Sequence, residues 1–483
     1  MTTSLKSAGR IAGMFLSVVL LCGVCFAQPA LTLSAAGGPP TTNLTVSGTG
    51  FPASTAVDIY FDTNNLALAV TDGTGSFSGI KIQVPASALP GTNWVTAAVP
   101  IVTGEAAQAP FKVRTNWAQF HFAASHTGLN PYENVLSRTT APDLGLRWSY
   151  STGGNVYSSP VVANGVVYVG SNDNNVYALN ASTGAELWQF TTGGTVSSIP
   201  AVVNGVVYVG SDDNNVYALN ATTGVELWEF ITGGLIGSSP AVANGGVYVG
   251  SFDHNVYALD AFSGAMLWQF TTGSLVSSSP AVANGVVYVG SLDDNVYALS
   301  QSSGAKLWQF TTGGTVGSSP AVANGAVYIG AADNVYALNA TTGFELWQFT
   351  TGDQVISAPA VANGVVYVGS IDDNIYALNA STGAKRWQFA TGAAVGSSPA
   401  VANGVVYIGG SDGNVYGLNA STGAELWQFT TGNAVTSPAV ANGVVYVGSA
   451  DYNVYAFSDT TNPAQEPARP DPATLRPSLG LGK

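Results

Sequence analysis

The sequence predicts an all-β protein: an eight-bladed β-propeller with four-stranded blades, preceded by a small β-sandwich. Three observations support this fold class. Tryptophan, proline and Asn-Gly pairs each recur eight times, at intervals of 39 or 40 residues. Each interval contains four short strand patterns separated by turn residues, which is the organisation of a propeller blade. No segment shows a sustained 3.6-residue apolar period, and helical repeats are therefore excluded.

The repeating unit is typified by residues 277–310. Ser-Pro-Ala-Val-Ala forms the first strand pattern, and an Asn-Gly pair, a strong hairpin signal, leads to Val-Val-Tyr-Val-Gly. A loop containing Asp leads to Asn-Val-Tyr-Ala-Leu, and a Ser/Thr-Gly turn leads to a fourth strand containing the tryptophan. The unit therefore predicts one antiparallel four-stranded blade.

Closure of the ring follows from an offset in the repeats. One tryptophan strand, at 146–150, precedes the first unit, and the last third strand, at 453–457, has no tryptophan strand after it. We expect the early strand to complete the last blade, which joins the two ends of the chain and removes exposed sheet edges. The predicted propeller covers residues 145–459 and contains 32 strands.

The segments around the propeller have no repeat. Residues 28–113 alternate short strands with Gly, Pro and Asp turns and predict an immunoglobulin-sized β-sandwich. Residues 114–144 form a connector, and residues 460–483, with five prolines and no strand pattern, predict a disordered tail. The strands predicted in the sandwich are 42–50, 57–61, 66–70, 77–84 and 94–98.

The N-terminus has the pattern of an export signal. Two basic residues precede an apolar run at 11–26, and small residues at its end suit cleavage after Ala27. We expect residues 1–27 to be a signal peptide, with the mature chain in the periplasm or outside the cell. An uncleaved anchor is the alternative, although the run is short for a bilayer span. Cys22 and Cys25 both lie in this segment, so the mature chain would have no disulfide and no thiol nucleophile.

Composition narrows the function classes. Only 8% of the residues are charged, against about 25% in an average soluble protein. The net charge of −14 opposes binding to a phosphate backbone, and nucleic acid is therefore excluded as a partner. The single long apolar run excludes a multi-pass membrane protein, and we expect no transmembrane span after cleavage.

The segment at 178–188, Ala-Leu-Asn-Ala-Ser-Thr-Gly-Ala-Glu-Leu-Trp, resembles the tryptophan-docking motif of quinoprotein-type eight-bladed propellers. The connector at 117–131 resembles the lead-in of pyrroloquinoline-quinone-like (PQQ-like) repeat proteins, and the sandwich resembles bacterial immunoglobulin-like domains. This chain has Asn at the third motif position in most copies, where the family has Asp. The resemblance implies that each tryptophan docks between its own blade and a glycine of the next. These structural residues are Trp148, Trp188, Trp228, Trp268, Trp308, Trp347, Trp387 and Trp427.

The resemblance also raises a PQQ-dependent dehydrogenase as an alternative function. It implies a polycarboxylate quinone, a Ca²⁺ ion, an acidic base and a vicinal disulfide on the fourth-to-first-strand loops. Those loops carry one ionisable group, Asp353, and the mature chain has no cysteine. The basic residues Lys306, Lys385 and Arg386 precede docking tryptophans instead. We therefore expect no catalytic residues and no bound PQQ or Ca²⁺.

A repeated Asp in the second-to-third-strand loops offers a second possible metal site. A ring of carboxylates could hold Ca²⁺, but Asp before Asn or Gly at a strand entry is ordinary turn chemistry, and the ring is wide. We favour the turn and expect no metal site. The residues are Asp173, Asp213, Asp253, Asp293, Asp333, Asp372, Asp412 and Asp451.

Breaks in the repeat indicate a binding surface. Apolar or aromatic side chains replace small polar ones in two loop sets that share one propeller face, which is typical of a partner surface. Neutral drift among loop residues is the alternative. The candidate partner-binding residues are Phe252, His254, Leu292, Ile371 and Tyr452 in the second-to-third-strand loops, with Leu235, Ile236, Leu275 and Ile356 in the fourth-to-first-strand loops.

We interpret the chain as a non-enzymatic, secreted or periplasmic scaffold that binds a protein partner and is itself monomeric. The resemblance implies a role like that of the propeller subunit of the outer-membrane β-barrel assembly machinery. A PQQ-dependent dehydrogenase and a carbohydrate or cell-wall binding protein are the alternatives. The sequence does not identify the ligand.

Overall fold

A computed structural model of the chain describes residues 28–100, 105–461 and 467–475. The predicted signal peptide lies outside these ranges. Almost all regular structure is β. Among the residues covered, no helix is long and apolar enough to cross a membrane. The helical elements within those ranges are two 3-10 turns, Ala141–Asp143 and Pro472–Thr474.

Eight sheets, each with four antiparallel strands, form the predicted propeller blades. In blade 7 the two-residue connector strand Leu129–Asn130 adds a fifth strand, parallel to Ala400–Ala402. Blade 1 comprises Val161–Ala163, Val166–Gly170, Asn175–Asn180 and Glu186–Thr191. Blade 2 comprises Ala201–Val203, Val206–Gly210, Asn215–Asn220 and Glu226–Ile231. Blade 3 comprises Ala241–Ala243, Gly246–Gly250, Asn255–Asp260 and Met266–Thr271. Blade 4 comprises Ala281–Ala283, Val286–Ser291, Asn295–Ser300 and Lys306–Thr311. Blade 5 comprises Ala321–Ala323, Ala326–Ala331, Asn334–Asn339 and Glu345–Thr350. Blade 6 comprises Ala360–Ala362, Val365–Gly369, Asn374–Asn379 and Lys385–Ala390. Blade 7 comprises Ala400–Ala402, Val405–Gly409, Asn414–Asn419 and Glu425–Thr430.

Blade 8 joins the two ends of the propeller. It contains Ala439–Ala441, Val444–Gly448 and Asn453–Asp459, and its fourth strand is Leu144–Ser151 from before blade 1. The two chain ends pair antiparallel, with Leu144 opposite Asp459 and Ser151 opposite Asn453. The predicted closure is confirmed, and the ring has no open edge between its first and last blades.

Packing between blades explains why the strands are apolar on both faces. The second and third strands of every blade are buried almost throughout, because each blade is covered by a neighbour on either side. The hairpin between the first two strands uses Asn and Gly in the left-handed region, as at Asn284 (φ 51°) and Gly285 (φ 79°). These turns are the reason for eight Asn-Gly pairs.

The docking tryptophans join one blade to the next. Trp268 of blade 3 pairs with Ala258 in its own sheet, and its indole Nε1 donates to Gln301 O of blade 4 at 2.9 Å. Its ring packs against Gly304 of blade 4. Six other tryptophans make the same contact with the next blade, and each buried aromatic stabilises the ring by roughly 2–3 kcal/mol. The seven glycines contacted are Gly184, Gly224, Gly264, Gly304, Gly343, Gly383 and Gly423.

Trp427 is the exception, because the last blade has no third-to-fourth turn to supply a glycine. Its Nε1 donates to Leu144 O at 2.8 Å, and its ring lies 5.1 Å from that of Phe457. The join between the last two blades is therefore made by Leu144, which precedes the repeat, and by Phe457, which replaces the leucine of the other third strands.

Two sheets form the N-terminal sandwich. Between them lies an apolar core that includes Ile59, Phe61 and Phe111. One sheet contains Ala30–Leu33, Asn43–Thr49 and Phe77–Gln83; the other contains Gly37–Gly38, Ala106–Val113, Gly91–Ala98, Ala56–Phe61 and Asn64–Val70. Five of these strands overlap the predicted ones. The strands Ala30–Leu33, Gly37–Gly38 and Ala106–Val113 were not predicted.

The tail differs from the prediction of disorder where the structure describes it. Pro472–Thr474 forms a 3-10 turn, and the Arg469 guanidinium lies 4.5 Å from the ring centroid of Trp94 in the sandwich. Arg469 Nε also donates to Gln108 Oε1 at 2.6 Å. A composition rich in proline gave no sign of these contacts, which hold residues 467–475 against the sandwich.

The connector fills the propeller channel. Residues 115–130 run past the innermost strand of every blade and bond to it in turn, starting with Trp117 and Val162, whose backbones exchange two 2.8 Å hydrogen bonds. Further bonds are made to Val202, Val242, Val282, Val322, Val361, Val401 and Val440. We call this segment the plug. It pairs backbone groups that the inner strand edges would otherwise leave unsatisfied.

Candidate functional site

The two predicted loop sets lie side by side and form what we call the loop face. The loop entering each blade contacts the second-to-third-strand loop of that blade, as where Gly273 N donates to Asp293 Oδ2 at 2.6 Å. The same two loops pair through Leu292 N and Leu275 O at 3.0 Å. The loop face is thus an interlocked surface built from all eight blades.

Seven of the eight repeated aspartates cap their own loops. Asp293 accepts from Gly273 N, from Asn295 N at 3.1 Å and from the Tyr297 hydroxyl at 2.7 Å. Burial raises the pKa of Asp293, but the Tyr297 hydroxyl and the backbone donors outweigh it and hold that pKa below its ordinary value. The Asp253, Asp372, Asp412 and Asp451 carboxyls have lowered pKa values for the same reasons. This arrangement uses the carboxylate oxygens for turn formation.

Asp333 departs from the predicted series. The second-to-third-strand loop of blade 5 is one residue shorter, and Asp333 O accepts from Thr351 N just as Asp294 O accepts from Thr312 N in blade 4. Asp333 therefore occupies the position of Asp294 and not that of the capping Asp293. The prediction that groups Asp333 with the seven capping aspartates is therefore wrong.

Four of the predicted apolar residues are grouped in blades 3 and 4. Phe252 N donates to Leu235 O at 3.0 Å, and the Leu292–Leu275 pair lies in the next blade. The Phe252 ring approaches Gly237, where a Cβ atom would lie 3.6 Å from it. We call Leu235, Phe252, Leu275 and Leu292 the apolar patch. Ile371 and Ile356 lie apart from it, in blade 6.

Ile236 corrects the prediction. Its side chain is fully buried, in the core between blades 2 and 3, and it packs against Gly210. Valine fills the equivalent position in every other blade, as at Val196 and Val276, and is buried there too. Ile236 is therefore a core residue and not part of a binding surface. The valine column was visible in the sequence and could have excluded it.

His254 and Tyr452 occupy equivalent positions in blades 3 and 8 with left-handed backbone, at φ 74° and 75°. Asn, Asp or Gly fills this position in the other blades, since these residues tolerate positive φ best. Both side chains are exposed. A bulky residue with positive φ is a signal of function. Tyr452 gives a stronger signal than His254, because histidine is found at positive φ more often than tyrosine.

Tyr157 is an exposed aromatic residue that the sequence interpretation missed. Its side chain is half exposed, and its hydroxyl accepts from Asn155 Nδ2 at 3.0 Å. It fills the position that Ile356 fills in the loop entering blade 6, next to an innermost strand. Comparing the loops position by position would have identified it, because the other blades have Ser, Gly or Thr there.

The plug uses two of the three histidines. His126 Nδ1 lies 3.1 Å from Pro320 O, and the His121 ring stacks on Phe120 with centroids 4.4 Å apart. Burial lowers the pKa of His121 to about 4. Burial, reinforced by the neighbouring His121, lowers the pKa of His126 to about 3. Both rings are therefore neutral near pH 7 and serve packing in the plug.

The residues of the loop face do not fit a quinone or its cation. A polycarboxylate needs basic partners, and none of the loops on this face carries Lys or Arg. The capping carboxylates already accept hydrogen bonds from their own loops. The repeated serines bond from blade to blade, as where Ser279 N donates to Ser319 Oγ at 2.9 Å. Within the part of the chain that the structure covers, no three His, Cys, Asp or Glu side chains group as metal ligands.

Comparison with solved structures gives the same architecture. BamB from Moraxella catarrhalis is 21% identical with a TM-score of 0.57, covering 65% of this chain and 99% of that one. The europium-containing methanol dehydrogenase is 16% identical with a TM-score of 0.62, covering 71% and 98%. The quinohemoprotein alcohol dehydrogenase from Comamonas testosteroni is 17% identical with a TM-score of 0.63, covering 73% and 82%. These identities show a common fold alone.

Comparison of the sequence with models of protein families identifies one family. None of the curated proteins matches this chain. A family model described as outer membrane protein assembly factor BamB matches residues 132–234, 229–315, 292–428 and 372–465. These overlapping segments run from the end of the connector through all eight blades, well over half of the chain. The chain therefore belongs to the family described as outer membrane protein assembly factor BamB.

Proposed function

We propose that the chain is a non-enzymatic scaffold of the periplasm or the cell exterior that binds a protein partner through its loop face. The observation that carries the proposal is the apolar patch in blades 3 and 4. Its four side chains interrupt a repeat that, apart from Ile371 in blade 6, places small or polar residues at these positions. Neighbouring apolar side chains on a surface mark sites of protein association.

The family supports a protein as the partner, since its description names an assembly factor of the outer membrane. A signal peptide at residues 1–27 would direct export of the chain to the periplasm or the cell exterior. The loops of this face also carry no lysine, arginine or cysteine, and their one histidine is His254. This composition supports a non-enzymatic role.

Site-specific photo-crosslinking in the native envelope tests the proposal. A photoreactive residue replaces Phe252 or Leu292, and the matched control replaces Ser411, which fills the same loop position in blade 7. We expect one adduct of defined mass at Phe252 and at Leu292 and none at Ser411. Equal adducts at all three positions, or none at any, would overturn the apolar patch as the partner site.

A separate assay addresses the dehydrogenase alternative. The purified protein is incubated with PQQ and Ca²⁺, and oxidation of primary alcohols is followed with an artificial electron-accepting dye. We expect no rate above that of the cofactor alone, because the loops offer a quinone no basic partner. Turnover above that background would overturn the proposed scaffold function and identify the protein as an enzyme.

A further inference from the structure

A cleft of about 560 Å³ lies between the sandwich and the blade 8–blade 1 edge of the propeller. Its sandwich wall includes Lys112 and Arg114, and its propeller wall includes Arg147 and Tyr446. Small-molecule sites occupy about 300–1,000 Å³ and are frequent where two domains meet. The size and the place of this cleft are therefore those of a ligand site.

The cleft concentrates positive charge in an acidic protein. The net charge of the chain is −14, yet three of the nine lysines and arginines in the described ranges line this one cavity. One acidic residue, Asp459, lines it with them; it is buried, and its Oδ1 accepts from Thr461 N and Oγ1 at 2.8 Å. The cleft thus presents an excess of positive charge.

The two sandwich cations point the same way and are available. Lys112 and Arg114 are two residues apart at the end of the strand Ala106–Val113, and residues at this spacing share a face. Lys112 is exposed and Arg114 is partly exposed. Across the residues that the structure covers, neither side chain forms a hydrogen bond or an ion pair. Both are therefore free to bind an anion.

Arg147 breaks the propeller repeat at the cleft. Leucine precedes six of the eight docking tryptophans, and arginine replaces it at Arg147 and at Arg386. Arg147 Nε donates to Ser182 O at 3.1 Å, which fixes the side chain and leaves its terminal nitrogens for a ligand. Arg386 lies in blade 6, does not line the cleft, and bonds Gly364 O. The earlier interpretation of the basic residues overlooked Arg147.

We propose that this cleft binds a small molecule carrying two or more oxyanion groups, phosphate or carboxylate, held between Lys112 and Arg114 on one wall and Arg147 on the other. Guanidinium groups match the geometry of both oxyanions. A ligand held from both walls would also fix the sandwich against the propeller. This site is separate from the loop face, so it stands whether or not that face binds a protein.

Isothermal titration of the purified protein with pyrophosphate and, separately, with citrate tests the site. We expect one saturable site for at least one probe, weakened by raised salt. The stronger of the two probes distinguishes a phosphate ligand from a carboxylate ligand. Arg147→Gln and the double variant Lys112→Gln/Arg114→Gln should each weaken binding at least tenfold. Arg386→Gln, the matched control in blade 6, should bind as tightly as the parent.

Two results would overturn the proposal. One is the absence of saturable binding of both probes at low salt. The other is an equal loss of affinity in Arg386→Gln and Arg147→Gln, which would show general electrostatics in place of a site. Thermal unfolding of each variant shows whether it is folded. If Arg147→Gln fails to fold, the double variant in the sandwich decides the outcome.

Discussion

The indole of Trp268 packs so closely on Gly304 of the next blade that a Cβ atom there would lie 2.7 Å from its Cδ2 and Cε3 atoms. Gly304 also has φ 70°, a conformation that favours glycine. Two independent constraints therefore select glycine at this position. The same packing of a tryptophan on a glycine occurs at seven of the eight blade junctions, so it is the contact that joins most neighbouring blades.

The first prediction tests the packing contact between Trp268 and Gly304. Gly304→Ala should lower the free energy of unfolding by about 2–4 kcal/mol, because the methyl group adds a clash to the cost of positive φ. Gly285→Ala is the matched control: Gly285 has φ 79° but no atom within 4 Å of its added Cβ, so about 1 kcal/mol is expected. Urea unfolding of both variants measures the difference. Equal losses would show that the indole contact is unimportant.

The second prediction concerns the capping aspartates. The pKa of Asp293 is lowered in the folded state, so the stabilisation from its carboxylate is present above the unfolded pKa and is lost as the pH falls below about 4. Asp293→Asn should lower stability by about 1 kcal/mol at pH 7 and should flatten the loss below pH 4. The control is Asp333→Asn, whose carboxylate makes no bond to a tyrosine hydroxyl. Melting temperatures between pH 7 and pH 2.5 report both effects, and identical profiles for the two variants would contradict the capping role.

The third prediction concerns the plug, in a different pH window. The folded pKa values of His121 and His126, about 4 and about 3, lie below the ordinary value of 6.5. The unfolded chain therefore binds protons first, and stability falls as the pH drops from about 6.5 to about 4. Each histidine contributes at most about 1.4 kcal/mol per pH unit.

Replacing both residues in His121→Asn/His126→Asn should remove this slope, since Asn does not titrate and tolerates their positive φ. Unfolding free energies measured at half-unit steps from pH 7 to pH 4 test it. His254→Asn, on the exposed loop face, is the control and should keep the slope. A slope that survives in the double variant would mean that the plug histidines are not its source.

The propeller could be predicted from the sequence because its constraints repeat. Each blade needs the same hairpin and the same apolar strands, and seven blades share the docking glycine, so the copies reinforce one pattern. Even the closing strand was predictable, since an unpaired tryptophan strand at one end matches a missing one at the other. Errors arose where a column of the repeat was misjudged, as for Ile236 and Asp333.

The plug and the cleft could not be predicted in this way. Residues 115–130 occur once, and their contacts reach Val440, more than 300 positions along the chain, so no local pattern records them. The cleft depends on how the sandwich meets blades 8 and 1, which no spacing in the sequence encodes. Only the replacement of leucine by Arg147 was visible beforehand.

The last prediction separates strain from function at Tyr452. Its backbone has φ 75°, and a bulky side chain in this region costs about 1 kcal/mol. Tyr452→Asn should therefore raise the free energy of unfolding by about 1 kcal/mol, while any partner contact made by the exposed ring is lost. His254→Asn, at the same position of blade 3, should give a smaller gain, because histidine tolerates positive φ better than tyrosine. Urea unfolding measures the gains, and an unchanged or lower stability in Tyr452→Asn would show that the ring makes contacts that offset the strain.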